Sequence, residues 1–371
     1  MADAVAAPGS GGIFITFGQQ AGLRVVARAI HTERPPHALL LTGPAGVGKT
    51  TLALDLAAGL LCLAEDPAAR PCRACAACHK VAADNHADLH LLAPEGAGEQ
   101  IRIGQVLQLA ADLSLTAMEG RFRVAVITAA HRLNPDAQNA LLKTLEEPGP
   151  RTCLVLCADD AASLLPTVLS RSARLRLAPV PTSTLAQRLI DEGLSQPALA
   201  RAIALASGGR PGLARRLARD PEAVLARGRI TRTLLDLLPA DRRTRLGAAA
   251  DLITDAASLD AAIRGEVAST AKRLQPVERR RAVLLIIEIW RDLGRDLAVA
   301  VAGDGRGVRD LEHLDELLGA AARVDRRALH RFLDRLDRLG VAIDGYASPE
   351  LTLDVLLSTW PHLRAGSRSA A

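Results

Sequence analysis

The most informative segment of this sequence is an eight-residue loop at positions 43–50, which reads Gly43-Pro44-Ala45-Gly46-Val47-Gly48-Lys49-Thr50. It matches the pattern G-x-x-x-x-G-K-[ST] at every fixed position. An apolar run precedes it and an apolar-periodic helix follows it, as a strand–loop–helix unit requires. In such a loop, glycines let backbone N–H groups converge on phosphate oxygens, and the helix N-terminus adds partial positive charge. The segment therefore predicts a phosphate-binding loop.

The residues expected to hold a nucleotide lie in this loop and the first turn after it: Gly43, Gly46, Gly48, Lys49, Thr50 and Thr51. Lys49 would reach the β- and γ-phosphates, and the Thr50 hydroxyl would bind Mg²⁺. Hydrolysis also needs acidic side chains near the metal, usually directly after a buried strand. At those positions this chain has Thr128-Ala129. We therefore expect the site to bind ATP and Mg²⁺ weakly or passively, and to hydrolyse the ATP poorly.

Outward from the loop, the chain divides by pattern into three regions. Residues 13–178 alternate short apolar runs with helical periods, which indicates a parallel sheet with crossover helices. Residues 179–240 and 241–365 show helical patterns only. The sequence thus predicts an α/β domain followed by two all-α domains. The predicted strands are Ala38–Thr42, Leu89–Leu92, Arg123–Thr128, Thr152–Cys157 and Arg174–Leu177.

The composition excludes several classes of protein. Of 371 residues, 49% are apolar and 23% are charged, which excludes a disordered chain. No apolar run approaches the roughly 18 residues that span a bilayer, and residues 1–12 do not resemble a secretory signal. We therefore expect a cytoplasmic protein with no membrane partner. In a long cytoplasmic chain, six cysteines indicate a metal site or buried thiols rather than disulfides.

Four of these cysteines form a cluster soon after the loop helix: Cys62, Cys72, Cys75 and Cys78. Four thiols at short spacings suit a closed, tetrahedral, structural Zn²⁺ site. An iron–sulfur cluster is the alternative, although the fourth Cys-Pro of the ferredoxin run is missing. Free thiols are a third interpretation. Three nearby histidines are candidates to replace a ligand: His79, His86 and His90.

The other two cysteines, Cys153 and Cys157, lie in an apolar strand. We interpret them as buried packing residues.

Further motifs identify a family. Residues 139–148 read Asn-Ala-Leu-Leu-Lys-Thr-Leu-Glu-Glu-Pro, and Leu169-Ser170-Arg171-Ser172 follows them. With Phe17-Gly18-Gln19, the strand at 36–41 and the four-cysteine insert, these residues resemble bacterial DNA polymerase III clamp-loader subunits of the AAA+ family. The resemblance covers about residues 13–215. It implies an AAA+ domain with a zinc insert at 62–78, a small helical lid domain and a C-terminal collar.

Departures from the motor pattern point to the delta prime branch of this family. Motor subunits, gamma/tau, keep Asp-Glu where this chain has Thr128-Ala129. The segment Ser207-Gly208-Gly209-Arg210-Pro211-Gly212 resembles the delta prime lid. The lid arginine of gamma/tau falls opposite Pro211, one position from Arg210. The intact phosphate loop is a difference, because some delta prime proteins lack it.

The resemblance implies a role for the chain and for Arg171. The chain would be a non-motor subunit that helps load the sliding clamp onto primed DNA, with gamma/tau and delta subunits as partners. Arg171 would act in trans as an arginine finger on a neighbouring gamma/tau ATP. Two alternatives stay open: a gamma/tau-like active ATPase, and a zinc-bearing DNA-binding module.

Charge is concentrated in one segment. Residues 179–245 carry 12 basic and 6 acidic residues, whereas the whole chain has a net charge of only +5. Solvated helix faces account for such a segment, and contact with phosphates or an acidic neighbour is the alternative.

Overall fold

In the computed structural model the chain folds into two compact units. The structure describes residues 5–6, 11–94, 100–264, 274–310, 313–344 and 347–363. The first unit extends to Glu192 and also includes Gly208–Leu213, and the second comprises Gly193–Ser207 and the chain from Ala214 onward. The division into three domains at 178 and 240 stays a prediction, and the end of the last one, at 365, lies outside the described residues.

A five-stranded parallel sheet forms the centre of the first unit, in the order β4-β5-β6-β3-β7. The predicted strands are confirmed with end points shifted by at most one residue. The three central strands are buried along nearly their whole length, which explains their continuous apolar runs. An antiparallel two-stranded ribbon, β1–β2, lies outside this sheet. The strands are β1 (Val5–Ala6), β2 (Ile13–Phe14), β3 (Ala38–Thr42), β4 (Leu89–Leu92), β5 (Arg123–Ile127), β6 (Thr152–Ala158) and β7 (Ala173–Arg176).

Helices cover both faces of the sheet, because alternate residues of each strand point to opposite sides. On one face, Leu39 and Leu41 join a core with the apolar residues of α1 and α2. On the other face, Leu40 packs with residues of α4 and α5. The helices of this unit are α1 (Gln20–His31), α2 (Lys49–Leu61), α3 (Ala76–Ala82), α4 (Ile103–Ser114), α5 (Pro135–Glu146), α6 (Pro166–Ser170) and α7 (Thr182–Asp191).

The second unit is helical throughout its described residues, as predicted. Its core contains three mutually packed rings, Trp290, Phe332 and Trp360, with centroids 4.7–5.4 Å apart. The Trp360 Nε1–H donates to the Leu234 carbonyl at 3.0 Å. The remaining helices of the chain are α8 (Pro197–Ala206), α9 (Pro211–Arg219), α10 (Pro221–Asp236), α11 (Arg242–Gly247), α12 (Ala249–Arg264), α13 (Pro276–Val301), α14 (Leu314–Ala321), α15 (Arg326–Asp344) and α16 (Pro349–Thr359).

Several arginines of the basic segment pair with acidic side chains inside this second unit. Arg227 contacts Asp292 at 2.6 Å, and Arg232 contacts Asp236 and also Glu316. Arg245 is fully buried and donates to backbone carbonyls, at 2.9 Å for Leu238 and also to Trp360. Several of the positive charges in this segment are therefore paired with groups of the same helical unit.

Replacing Arg245 with Ala should lower the free energy of unfolding of the second unit by about 3 kcal/mol, because buried carbonyls lose their donors. The measurement is urea denaturation followed by tryptophan fluorescence, since both tryptophans, Trp290 and Trp360, lie in this unit. The matched control is Arg243→Ala, an exposed arginine on the same helix. Equal stability of the two variants would contradict a structural role for Arg245.

Candidate nucleotide site and metal centre

The phosphate loop connects β3 to α2 and has a backbone that only glycine adopts readily. Gly43, Gly46 and Gly48 have φ angles of +142°, +79° and +107°. A Cβ at Gly43 would lie 2.3 Å from the Leu177 carbonyl oxygen, whereas nothing lies within 4 Å of a Cβ at Gly48. The loop thus leaves space beside the N-terminus of α2, where backbone N–H groups are available to an anion. The geometry fits a nucleotide phosphate.

Lys49 is the first residue of α2 and is 7% exposed. Its ammonium donates to the carbonyls of Gly43 at 2.5 Å and Pro44 at 3.0 Å. It also forms an ion pair with Asp159, whose Oδ1 lies 2.7 Å away. The candidate phosphate-binding lysine therefore contacts two carbonyls and one carboxylate within the loop region.

Thr50 and Thr51 follow Lys49 in the first turn of α2 and are half-buried. The Thr50 side chain hydrogen-bonds to Cys157, which lies near the end of β6. Burial raises the pKa of Cys157 to about 12, and the neighbouring Lys49 charge opposes this effect. Cys157 and the similarly buried Cys153 are thus protonated packing residues, as interpreted from the sequence.

The structure places Thr128 and Ala129 directly after β5, where acidic side chains were expected to be absent. The Thr128 hydroxyl donates to the Leu92 carbonyl at 3.3 Å. However, sequence reasoning missed Asp159, which follows β6 and contacts Lys49. His131 lies 3.6 Å from the other oxygen of this carboxylate. The available signal was an acidic residue immediately after a buried strand, but only the strand order shows that β6 neighbours the loop strand.

Two other predicted motifs contact the loop within the first unit. The Gly212 N–H donates to the Gly46 carbonyl at 2.9 Å, and the Arg210 Cβ lies 3.7 Å from the Cβ position at Gly46. The buried Gln19 side chain donates to the Val47 carbonyl at 3.3 Å. The lid segment and the Phe-Gly-Gln motif are therefore brought together at the phosphate loop.

The four predicted metal ligands meet in one place. The Sγ atoms of Cys62, Cys72, Cys75 and Cys78 lie within 4.8 Å of one another, and those of Cys62 and Cys75 are 3.9 Å apart. A tetrahedral zinc site with Zn–S bonds of about 2.3 Å needs sulfur separations of about 3.8 Å. A hydrogen bond from Cys78 lowers the pKa of the Cys62 thiol to about 4, so a thiolate is favoured. The donor set fits zinc.

Histidine does not take part in this metal group, as far as the described residues show. His79, His86 and His90 are not members of the four-thiol cluster. The buried His86 instead accepts from the Asp88 N–H at 3.1 Å through its Nδ1.

Arg171 directly follows the short helix α6 and has a side chain that is 35% exposed. Its guanidinium contacts Glu146 of α5 at 2.7 Å. The Arg171 carbonyl accepts a hydrogen bond from His37, next to the start of β3, at 3.1 Å. The two motifs that carry the family resemblance are thus in direct contact.

Comparison with known proteins shows which sequences this part of the chain resembles. The family described as "DNA polymerase III, delta subunit" matches residues 18–181. Residues 18–181 are thus similar to this family. A DNA polymerase III subunit delta′ from Pseudomonas aeruginosa is 42% identical over 186 residues, 49% of this chain and 55% of that protein. The delta′ subunit from Bacillus subtilis is 35% identical over 182 residues, covering 49% and 54%.

Gamma/tau subunits of the same polymerase are more distant but align over more of the chain. The gamma/tau subunit of Mycobacterium bovis is 28% identical over 360 residues, 91% of this chain and 59% of that protein. A gamma subunit-related protein from Thermotoga maritima superimposes with a TM-score of 0.42 at 17% identity, covering 90% of this chain and 97% of its own. The chain spans about half the length of the delta′ relatives that it matches.

In the part of the chain that the structure describes, none of the helices combines the length and apolar character needed to cross a membrane.

Purified protein should contain about one zinc ion per chain, because four thiols complete a tetrahedral site. We expect Cys72→Ser and Cys75→Ser each to lower the zinc content per chain, as measured by inductively coupled plasma mass spectrometry. Cys153→Ala, which removes a buried thiol outside the cluster, should retain it. Iron with visible absorbance would instead support the iron–sulfur alternative.

Proposed function

We propose that this chain is a non-motor, delta prime-type subunit of the DNA polymerase III clamp loader. It would assemble with gamma/tau and delta subunits in the cytoplasm, and act on the sliding clamp and primed DNA through that complex. One combination of features carries the proposal. The unit that matches delta prime relatives has an intact phosphate loop but Thr128 and Ala129 where a motor needs acids.

We expect the chain's own site to hydrolyse ATP poorly. Nothing acidic follows β5 directly, and Thr128 is occupied with the Leu92 carbonyl. Without a carboxylate that orients and activates water, positioning of phosphates alone gives little hydrolysis. An active gamma/tau-like ATPase remains the second candidate, because the loop is intact and Asp159 contacts Lys49. Motor-like turnover by the isolated chain would establish that candidate and contradict the proposal.

Arg171 is the proposed arginine finger in trans. Its guanidinium is partly exposed and is held by Glu146, so it is positioned at the end of a helix rather than buried in the unit. A guanidinium suits the charge that spreads over phosphate oxygens in the transition state, and such fingers contribute about 10³–10⁵ in rate at the site they serve. The C-terminal helices would form the collar with sibling subunits. On α16, Leu353 and Leu356 are buried in the unit, whereas Leu351 and Val355 remain exposed for such a contact.

The first test is assembly. The chain, mixed with gamma/tau and delta subunits, should co-elute with them as one complex in gel filtration. Failure to co-elute under conditions in which the other subunits associate would contradict the proposed role. Tight DNA binding by the isolated chain at physiological salt would favour the zinc-bearing DNA-binding alternative instead.

The second test addresses Arg171. In the assembled complex, Arg171→Ala should leave co-elution intact but remove the contribution of one neighbouring site to DNA-stimulated ATP hydrolysis, and slow clamp loading. The matched control is Arg24→Ala, an exposed arginine on α1. Unchanged loading by the Arg171 variant would exclude the finger role, whereas equal losses in both variants would indicate a general charge effect.

A further inference from the structure

The phosphate loop has an acidic neighbour on an unexpected strand. Sequence patterns place a carboxylate after β5, where this chain has none. In the structure a carboxylate comes from the next strand, because Asp159 directly follows β6. Its Oδ1 lies 2.7 Å from the Lys49 ammonium.

Strand order explains why this residue reaches the loop. Strand β6 is hydrogen-bonded directly to β3, with Ala158 paired to Thr42, whereas β5 is one strand further away. The carboxyl ends of neighbouring parallel strands lie at the same edge of the sheet. Asp159 therefore occupies the strand end immediately beside the phosphate loop.

A carboxylate in this position has three compatible roles once phosphates enter the loop. Lys49 is the group that would serve the phosphates, and Asp159 is in contact with it. Phosphate oxygens and a carboxylate at this distance repel each other unless a cation lies between them. Asp159 therefore opposes nucleotide binding, orients Lys49 as the cation between the two anions, or shares a divalent cation with the nucleotide.

The surroundings of Asp159 favour the shared cation. Its side chain is 41% exposed and so remains accessible to solvent and ions, although Lys49 lies 2.7 Å from Oδ1 and His131 lies 3.6 Å from Oδ2. Thr50, whose hydroxyl is the expected Mg²⁺ ligand, contacts Cys157 near the end of β6, two residues before Asp159, which directly follows that strand. Mg²⁺ in nucleotide sites is commonly held by one or two carboxylates together with substrate phosphates. Hydroxyl and carboxylate oxygens thus lie at one edge of the loop.

We propose that Asp159 supplies the Mg²⁺-binding carboxylate of this nucleotide site, in place of the acidic residues missing after β5. The inference rests on nucleotide binding by the loop and not on assembly into a clamp loader. Such a site would hold a nucleotide with its magnesium ion but would lack an acidic residue after β5 to activate water.

The test is the magnesium dependence of nucleotide affinity. Binding of a fluorescent ATP analogue to the full chain is measured by anisotropy, with Mg²⁺ and with EDTA. For the unchanged chain, Mg²⁺ should raise the affinity about tenfold or more. Asp159→Asn should lose this increase, while its affinity in EDTA stays equal or rises because a negative charge is removed. Mn²⁺ bound together with the nucleotide, measured by electron paramagnetic resonance, should fall in the same variant.

Two further variants control the measurement. Asp160→Asn removes the same charge from the adjacent residue, whose carboxylate instead accepts from the Ala162 N–H at 3.0 Å. It should keep the magnesium response. Lys49→Ala should abolish binding in both conditions, which identifies the loop as the site.

Three results would overturn the inference. If Asp159→Asn raised the nucleotide affinity above that of the unchanged chain by the same factor with and without Mg²⁺, Asp159 would be only a counter-ion of Lys49. An unchanged magnesium response in that variant would exclude it as a ligand. Absence of nucleotide binding by the unchanged chain would also overturn the inference, but would leave co-elution with gamma/tau and delta, and hence the proposed function, unaffected.

Discussion

A buried carboxylate joins the N-terminal segment, α2 and the cysteine-bearing loop of the first unit. Asp55, in the middle of α2, has no solvent exposure, and burial raises its pKa. A buried carboxylate is costly unless charged or N–H groups compensate it. Here the backbone N–H groups of Ile15 and Thr16 donate to it, and Arg73 pairs with it. Satisfying this carboxylate fixes both the N-terminal segment and the loop that carries the metal ligands.

Because α2 is one continuous helix, the same constraint connects two candidate sites. The helix begins at Lys49 in the phosphate loop and ends at Leu61, immediately before the ligand Cys62. Arg73, which pairs with Asp55, lies between the ligands Cys72 and Cys75. A metal in the four-thiol cluster would therefore hold the far end of the helix whose first turn faces the phosphates. A structural metal at this place would stabilise the helix whose first turn carries the candidate phosphate-binding residues.

The carboxylate beside the phosphate loop comes from a strand other than the one that usually supplies it. The strand that usually supplies acids ends in Thr128 and Ala129, and Thr128 is bonded to its neighbour strand. The carboxylate next to Lys49 comes from Asp159 instead. Charge near a phosphate loop is determined by which strand ends are adjacent, and adjacency depends on sheet order rather than on distance along the sequence.

The sequence by itself determined the local features. These were the phosphate loop, the five strands of the parallel sheet within one residue, the four-cysteine cluster, the helical second half and the motifs around Arg171, because each depends on side-chain type and short spacing. The β1–β2 ribbon was not predicted. Only the tertiary structure decided which distant groups meet. Three ion pairs join residues that are distant in the sequence: Asp159 with Lys49, Arg73 with Asp55, and Glu146 with Arg171. The burial of Arg245 in the helical unit was also not predictable, because nothing in the sequence distinguishes it from the many other arginines. Such pairs follow from sheet order and from the need to compensate buried charge, and no local pattern encodes either of these.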